Sequence, residues 1–317
     1  GGPMYLGFTA TPYRMDNKPL HGSEEAIFEE VLFNYPIKPA VTDGWLSDIR
    51  AFRARAGYSL DGIKTTGGDY NAAQLESRVN TDLENYTAFS HWADVAGDRQ
   101  TIVFCAGGQH AHDMADLYNS KGIKAASVDG AMPMDERRAI ISACKSGDIQ
   151  VLTNCNVCTE GFDWPDVSSV LLLRPTKSWS LFVQMIGRGL RLADGKEDCV
   201  VIDIVGSGDD KSLASVPGIL GLPRGLSQDG CSMREAITSL DDLPDWLKAR
   251  IMDREFGLDN LDSVLQEVNL LAELDPPDEV IRCSSFAWLK VRDDRYTISC
   301  GSDRISGLRR DAVVFAD

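Results

Sequence analysis

No run of apolar residues in this 317-residue chain is long enough to cross a bilayer, and no charged-then-apolar signal segment opens it. The expectation is a soluble, intracellular protein without membrane contact. Basic residues are in deficit: 32 lysines and arginines stand against 48 aspartates and glutamates, a net charge of −16. Such a chain has no global attraction for nucleic acid, so any binding of that kind must come from a local groove. Histidine is scarce, with four in the whole chain. Cys155-Asn-Val-Cys158 has metal-ligand spacing, but it lacks a second pair and the histidines lie far from it in sequence, so no metal site is expected. The eight cysteines are scattered through strand and helix patterns (Cys105, Cys144, Cys199) and read as reduced thiols, which excludes a disulfide framework.

What is present is enough apolar material, 43% of residues, to fill the cores of about two domains. Tyr5 to Pro12 reads as a buried strand running into a small-residue turn, and starting on such a strand suggests a larger domain whose earlier strands are absent. Ser23-Glu-Glu-Ala26 reads as a capped helix start continued by Ile27, Glu30 and Val31. Asp43-Gly44 closes a second helical piece before an extended Ile49 to Arg55. Thr65 to Asp69 reads as a loop, and Asn71 to Val79 and Leu83 to Val95 as helices.

From residue 100 strand and helix alternate. Strands are expected at 101–105, 125–128, 150–153, 169–173 and 199–205, and helices at 109–120, 134–144 and 180–190. That rhythm is the pattern of a doubly wound parallel sheet, whose ligand edge is the carboxyl ends of its strands. Those ends carry Ala106-Gly107-Gly108, Asp129-Gly130, Asn154 onward and Arg174-Pro175. Residues 206 to 230 read as a linker with short helical pieces, and 232 to 274 as acidic-faced helices stopped by Pro276-Pro277. Phe286 to Val291, Tyr296 to Cys300 and Val313 to Phe315 read as a small antiparallel sheet, with Asp293-Asp294 and Gly301-Ser302 at its turns. Its aromatics Phe286, Trp288 and Tyr296 read as core rather than as a base-stacking platform.

The chemistry concentrates at Gln184-Met-Ile-Gly-Arg-Gly-Leu-Arg191. Gln184, Arg188 and Arg191 are spaced by four and three residues, which brings them near one another on a helix. Two guanidiniums so placed suit a polyphosphate, because their planar forks match phosphate oxygens.

Taken in order, Gly7-Phe-Thr-Ala-Thr-Pro12, Ile102-Val-Phe-Cys105, Asp129-Gly130 with Glu136-Arg137, Glu160-Gly-Phe-Asp163, and Gln184 through Arg191 resemble the later motifs of superfamily 2 helicases. The likeness is to DEAD/DEAH-box-like members related to restriction-enzyme translocation subunits and to organellar and phage helicases, and it covers about residues 5 to 205. It implies a RecA-like second helicase lobe at 61–206, preceded at 1–60 by the tail of the first lobe and followed at 207–317 by a small α+β extension. The implied cofactor is ATP with Mg²⁺, and the implied partners are nucleic acid, DNA in preference to RNA, and an N-terminal RecA-like lobe. The chain contains no Gly-x-x-x-x-Gly-Lys-Ser/Thr phosphate loop and no Asp-Glu box ahead of the Thr-Ala-Thr motif, so by itself it is expected to hydrolyse essentially no ATP.

By the same resemblance Arg188 and Arg191 are arginine fingers oriented by Gln184, and Gly161, Asp163 and Gly187 contact the nucleotide. Gly130 and Arg137 grip the strand backbone, and Thr9 and Thr11 couple hydrolysis to strand movement. A threonine that many relatives use on a strand phosphate is replaced by Cys155, so Thr153, Asn154 or backbone amides are expected to share that contact. The competing class is a catalytically inactive RecA-like binding module, or a translocation subunit of a restriction system.

Overall fold

The apolar runs that alternate with helices after residue 100 become strands buried on both faces, as parallel strands covered by helices must be. The computed structural model describes residues 5–14, 18–22, 26–155, 163–206, 213–223, 226 and 228–242 and, for the backbone alone, 288–292, 295–302 and 309–315. In chain order its first elements are α1 (Ile37–Thr42), β1 (Asp48–Arg55), β2 (Thr65–Thr66), β3 (Asp69–Tyr70), α2 (Ala72–Val79), α3 (Asp82–Ala96), β4 (Thr101–Cys105) and α4 (Gly108–Ser120). There follow β5 (Ala125–Val128), α5 (Met134–Lys145), β6 (Val151–Asn154), β7 (Ser169–Leu173), α6 (Trp179–Gly187), β8 (Asp198–Val205), α7 (Val216–Ile219), β9 (Asp229–Ser232) and α8 (Met233–Asp241).

Seven strands form one sheet in the order β5-β6-β4-β7-β8-β1-β9. All neighbours are parallel except β9, which runs antiparallel to β1 at the edge. This is the expected α/β, doubly wound sheet. It draws strands from all three expected regions, because β1 pairs with β8 along its whole length and β9 follows residue 207. Every residue of β4, β6 and β7 is buried.

Helix starts are set by side-chain caps. Asn71 accepts from the Gln74 amide and Thr81 from the Glu84 amide, each satisfying an otherwise orphaned N–H. Against the sheet α3 brings Trp92 edge-on to Tyr118 of α4, ring centroids 4.8 Å apart. The indole donates to Thr101 Oγ1 at 2.8 Å, so the ring is buried without an orphaned N–H.

Several expectations are corrected. Residues 5 to 12 form no strand, and Tyr5, Leu6 and Phe8 are exposed by 78, 62 and 90%. A strand needs a neighbour to satisfy its backbone, and among the described residues this segment has no ladder, only a bond from the Leu20 amide to the Pro12 carbonyl at its end. Residues 26 to 36 form no helix, and Ile27 and Val31 find no apolar surface to bury against among the described residues; Ser23 to Glu25 lie outside the described residues. The expected loop at 65–69 is a hairpin of β2 and β3, closed by Gly67 and Gly68 at φ 62° and 89°, the signs its two-residue turn requires. The stretch at 206–230, read as a linker, supplies the first two residues of β9.

In the C-terminal unit, residues 257–317, β10 (Trp288–Arg292), β11 (Arg295–Ser302) and β12 (Arg309–Phe315) form the expected antiparallel sheet. Gly301 and Ser302 belong to β11 rather than to a turn. Asp293-Asp294, Phe286, and the helices and prolines expected between 243 and 277 lie outside the described residues.

Candidate functional site

Helix α6 is short because of what its ends meet. Ser178 caps it by accepting from the Leu181 amide at 3.3 Å, and Leu181, Phe182, Val183, Met185 and Ile186 are all buried. It stops at Gly187, three residues before the end expected from the sequence, and Arg188 serves as its C-cap. The apolar Leu190 extends the periodic pattern without extending the helix. Gly189 explains the stop: a Cβ there would sit 2.5 Å from Cys199 Sγ and 2.6 Å from Val170 Cγ2, so the chain leaves the helix pressed onto β7 and β8. Of the three residues expected on one helix, only Gln184 is on it. Arg188 is at the cap and Arg191 is on the turn beyond.

Arg191 Nη1 donates to Asp163 Oδ1 at 2.7 Å. The carboxylate's side chain is 68% exposed, so the pair adds little to stability and stays accessible to solutes. The Thr-Ala-Thr segment closes the other side. Thr9 Oγ1 donates to the Thr11 carbonyl and accepts from the Thr11 amide, a local turn. Thr11 Oγ1 then accepts from Ser180 Oγ at 2.8 Å and from Gln184 Nε2 at 3.4 Å. Ser180 and Gln184 share a helix face at i and i+4, so Thr11 is held against the face of α6 that leads into the arginine turn. Ser180 was not singled out by the sequence, although its place one turn before Gln184 is the signal that finds it.

A second set lies at the carboxyl ends of β4, β5 and β6. Arg137 Nη2 donates to the Asp129 carbonyl at 2.8 Å, which holds the Asp129-Gly130 turn against α5. Asp129 Oδ2 meets His112 Nε2 at 3.0 Å, and Oδ1 accepts from the Ala131 and Met132 amides. These contacts, the histidine's foremost, hold the Asp129 carboxyl below the usual carboxylate range. His112, in turn within 2.7 Å of Ser127 Oγ, is a second residue that motif matching missed. A Cβ at Gly130 would meet nothing within 4 Å, and the same holds at Gly187.

Thr153 and Asn154, expected beside Cys155 at the strand contact, are both buried. The Thr153 hydroxyl donates to the Ala111 carbonyl at 2.7 Å and the Asn154 amide to the Val103 carbonyl at 3.0 Å, and neither side chain has exposed surface. Their side chains are occupied inside the fold, which leaves half-buried Cys155 at the strand end. Burial raises the Cys155 pKa, so its thiol stays protonated. Gly161 and Cys158 lie outside the described residues. Among the described residues no group of three or more His, Cys, Asp or Glu side chains gathers to hold a metal.

Residues 84–193, from the first turn of α3 through the turn after α6, match the helicase conserved C-terminal domain. This region is a helicase C-terminal domain. The chain is similar to the putative ATP-dependent helicase IRC3 of Saccharomyces cerevisiae, 32% identical over 220 residues, 68% of this chain and 31% of that protein. It is also similar to the putative mitochondrial ATP-dependent helicase irc3 of Schizosaccharomyces pombe, 30% identical over 219 residues, 68% and 35% of the two chains. The chain thus spans about a third of the length of these curated relatives. Among solved structures, the Escherichia coli DEAD-box protein SrmB is 21% identical with a TM-score of 0.39, over 55% of this chain and 84% of that one. The matched domain and the named relatives agree that residues 84–193 are a helicase C-terminal domain. The helicase C-terminal domain includes Asp129, Arg137, Asp163, Gln184, Arg188 and Arg191, while Thr11 reaches it from outside its limits through Ser180 and Gln184. No helix among the described residues is long and apolar enough to cross a membrane.

Proposed function

We propose that the chain is the C-terminal part of an ATP-dependent nucleic-acid helicase or translocase, supplying the arginine pair of the ATP site and a strand-gripping surface. The observation that carries this reading is the placement of Arg188 and Arg191 on a turn beside Asp163, next to a surface on which Gln184 and Thr11 are joined. Phosphoryl transfer needs positioning and stabilisation of charge on the γ-phosphate, and guanidiniums held on a short, packed turn provide both. The phosphate loop and the carboxylates for Mg²⁺ would come from an N-terminal lobe. When that lobe closes, Asp163 releases Arg191 to phosphate or takes a ribose hydroxyl, and Gln184 passes the change to Thr11.

The strand surface is the Asp129-Gly130 turn with Arg137 and Cys155. A glycine backbone open to approach and a cation beside it suit a phosphodiester, and in a chain of net charge −16 the attraction has to be local. DNA is the expected strand. The test is ATP hydrolysis by the complete protein with single-stranded DNA or RNA of the same sequence added. Stimulation by DNA above RNA supports the reading, a preference for RNA corrects the strand, and no hydrolysis with either contradicts it.

A further inference from the structure

The backbone of the arginine turn is fastened at three successive carbonyls. The Ser47 amide donates to the Leu190 carbonyl at 2.9 Å, and Ser47 Oγ to the Arg191 carbonyl at 3.1 Å. The Lys196 ammonium donates to the Gly189 carbonyl at 2.6 Å, to the Arg191 carbonyl at 2.8 Å and to the Pro165 carbonyl at 3.1 Å. An ammonium has three N–H donors and no acceptor, so this cage uses its full capacity. The third carbonyl belongs to the segment two residues after Asp163, which makes Lys196 a direct tie between the two segments whose side chains meet as Arg191 and Asp163. Lys196 is carried there by a tight turn in which its amide bonds to the Ala193 carbonyl at 3.1 Å and Gly195 takes φ 76°.

We propose that Lys196 is a positioning residue for the arginine pair, holding the turn of Arg188 and Arg191 in register with the Asp163 segment through its three carbonyl hydrogen bonds. The proposal rests on the arginine-finger reading above and deepens it. Exposed side chains such as those of Arg191 and Asp163 do not hold each other in place, whereas a half-buried ammonium coordinated by backbone fixes the chain that carries them. Burial lowers the Lys196 pKa, and its position beside Cys199, Asp166 and Asp198 opposes that shift, so the charge is retained by its surroundings at a cost that a surface lysine would not bear. An arginine cannot substitute, because its planar fork does not converge on three carbonyls around one nitrogen.

Lys196→Met keeps the stem and removes the donors. Two readouts decide the role. In this chain, backbone amide hydrogen exchange across residues 188–193 is expected to quicken at least tenfold in Lys196→Met, with β4 and β7 unchanged. In the complete protein, kcat for ATP hydrolysis is expected to fall at least tenfold while KM for ATP changes by less than about threefold, with Lys196→Arg no better than Lys196→Met. If Lys196→Met does not fold, Lys196→Gln is read in the same assays with the same expectations. Wild-type exchange and wild-type kcat in the variant overturn the proposal, as does a parallel loss of protection across the whole sheet, which marks a merely structural lysine. Arg191→Ala is run alongside: unchanged hydrolysis there removes the arginine-finger reading, while the exchange result still decides whether Lys196 positions the turn.

Discussion

Replacing Gly189 with alanine probes how the arginine turn is seated on the sheet. The added Cβ would stand 2.5 Å from Cys199 Sγ and 2.6 Å from Val170 Cγ2. Ordinary contact is about 3.5–4.0 Å, so the turn must lift by about 1 Å or β7 and β8 must give. Both neighbours are short side chains, fully buried and tied directly to strand backbone, so the turn is the part that moves. Overpacking of this kind costs about 1–3 kcal/mol, and the stiffer unfolded chain returns roughly 0.4–1 kcal/mol, leaving a net loss of about 1.3 kcal/mol at the middle of those ranges. Urea unfolding of the chain followed by far-ultraviolet circular dichroism measures it, as a lowered midpoint at constant slope. Val170→Ala makes room, so the double variant is expected to lose less than the sum of the singles, by about 0.5 kcal/mol or more. Wild-type stability in Gly189→Ala, or strict additivity with Val170→Ala, refutes the claim that this glycine is needed for contact.

Other outcomes follow from the same structure. Burial raises the Asp203 carboxyl to about 6, so the folded state binds the proton more tightly and stability falls as pH rises from 3.8 to about 6; Asp203→Asn is expected to stabilise the chain at pH 8 by on the order of 3 kcal/mol, and an unchanged urea midpoint there contradicts this. Burial lowers His110 to about 4, so its neutral form belongs to the fold and stability is lost as pH falls from 6.5 to about 4; in wild type the two slopes oppose, and Asp203→Asn should unmask the histidine's. Arg137→Ala is expected to weaken binding of single-stranded oligonucleotide several-fold and to reduce the slope of log affinity against log salt by about 0.7, as fluorescence anisotropy at several salt concentrations will read. Ser180→Ala removes the 2.8 Å hydrogen bond to Thr11 and should cost about 1 kcal/mol in the same unfolding assay, with no change marking that contact as incidental.

The alternation of β4 to β8 with α4 to α6 was legible because strands buried on both faces are written as unbroken apolar runs. The same reasoning failed at residues 5 to 12 and 26 to 36, where apolar residues have no partner surface among the described residues; local pattern records what a segment would bury, not whether anything covers it. Asp229 to Ser232 carries no apolar run, so β9 is made by its position beside β1 rather than by propensity. At the candidate site, motif spacing pointed to Gln184, Arg188, Arg191 and Asp163, of which Arg191 and Asp163 are in contact. It missed Ser47, His112, Ser180 and Lys196, because each acts through a contact with residues distant in sequence or through backbone carbonyls that no motif encodes. Thr153 and Asn154 were expected to share a strand contact with Cys155, yet β6 is covered on both faces, so their side chains, which a strand turns to opposite faces, are both buried.

The central claim, that Arg191 acts on the transferring phosphate and not on nucleotide affinity, is tested most directly by single-turnover ATP hydrolysis in the complete protein carrying Arg191→Ala, with bound nucleotide measured in the same samples. The account predicts nucleotide binding within about threefold of wild type and a hydrolysis rate lowered by roughly 10³-fold or more. A rate within tenfold of wild type, or a loss of binding as large as the loss of rate, would contradict it.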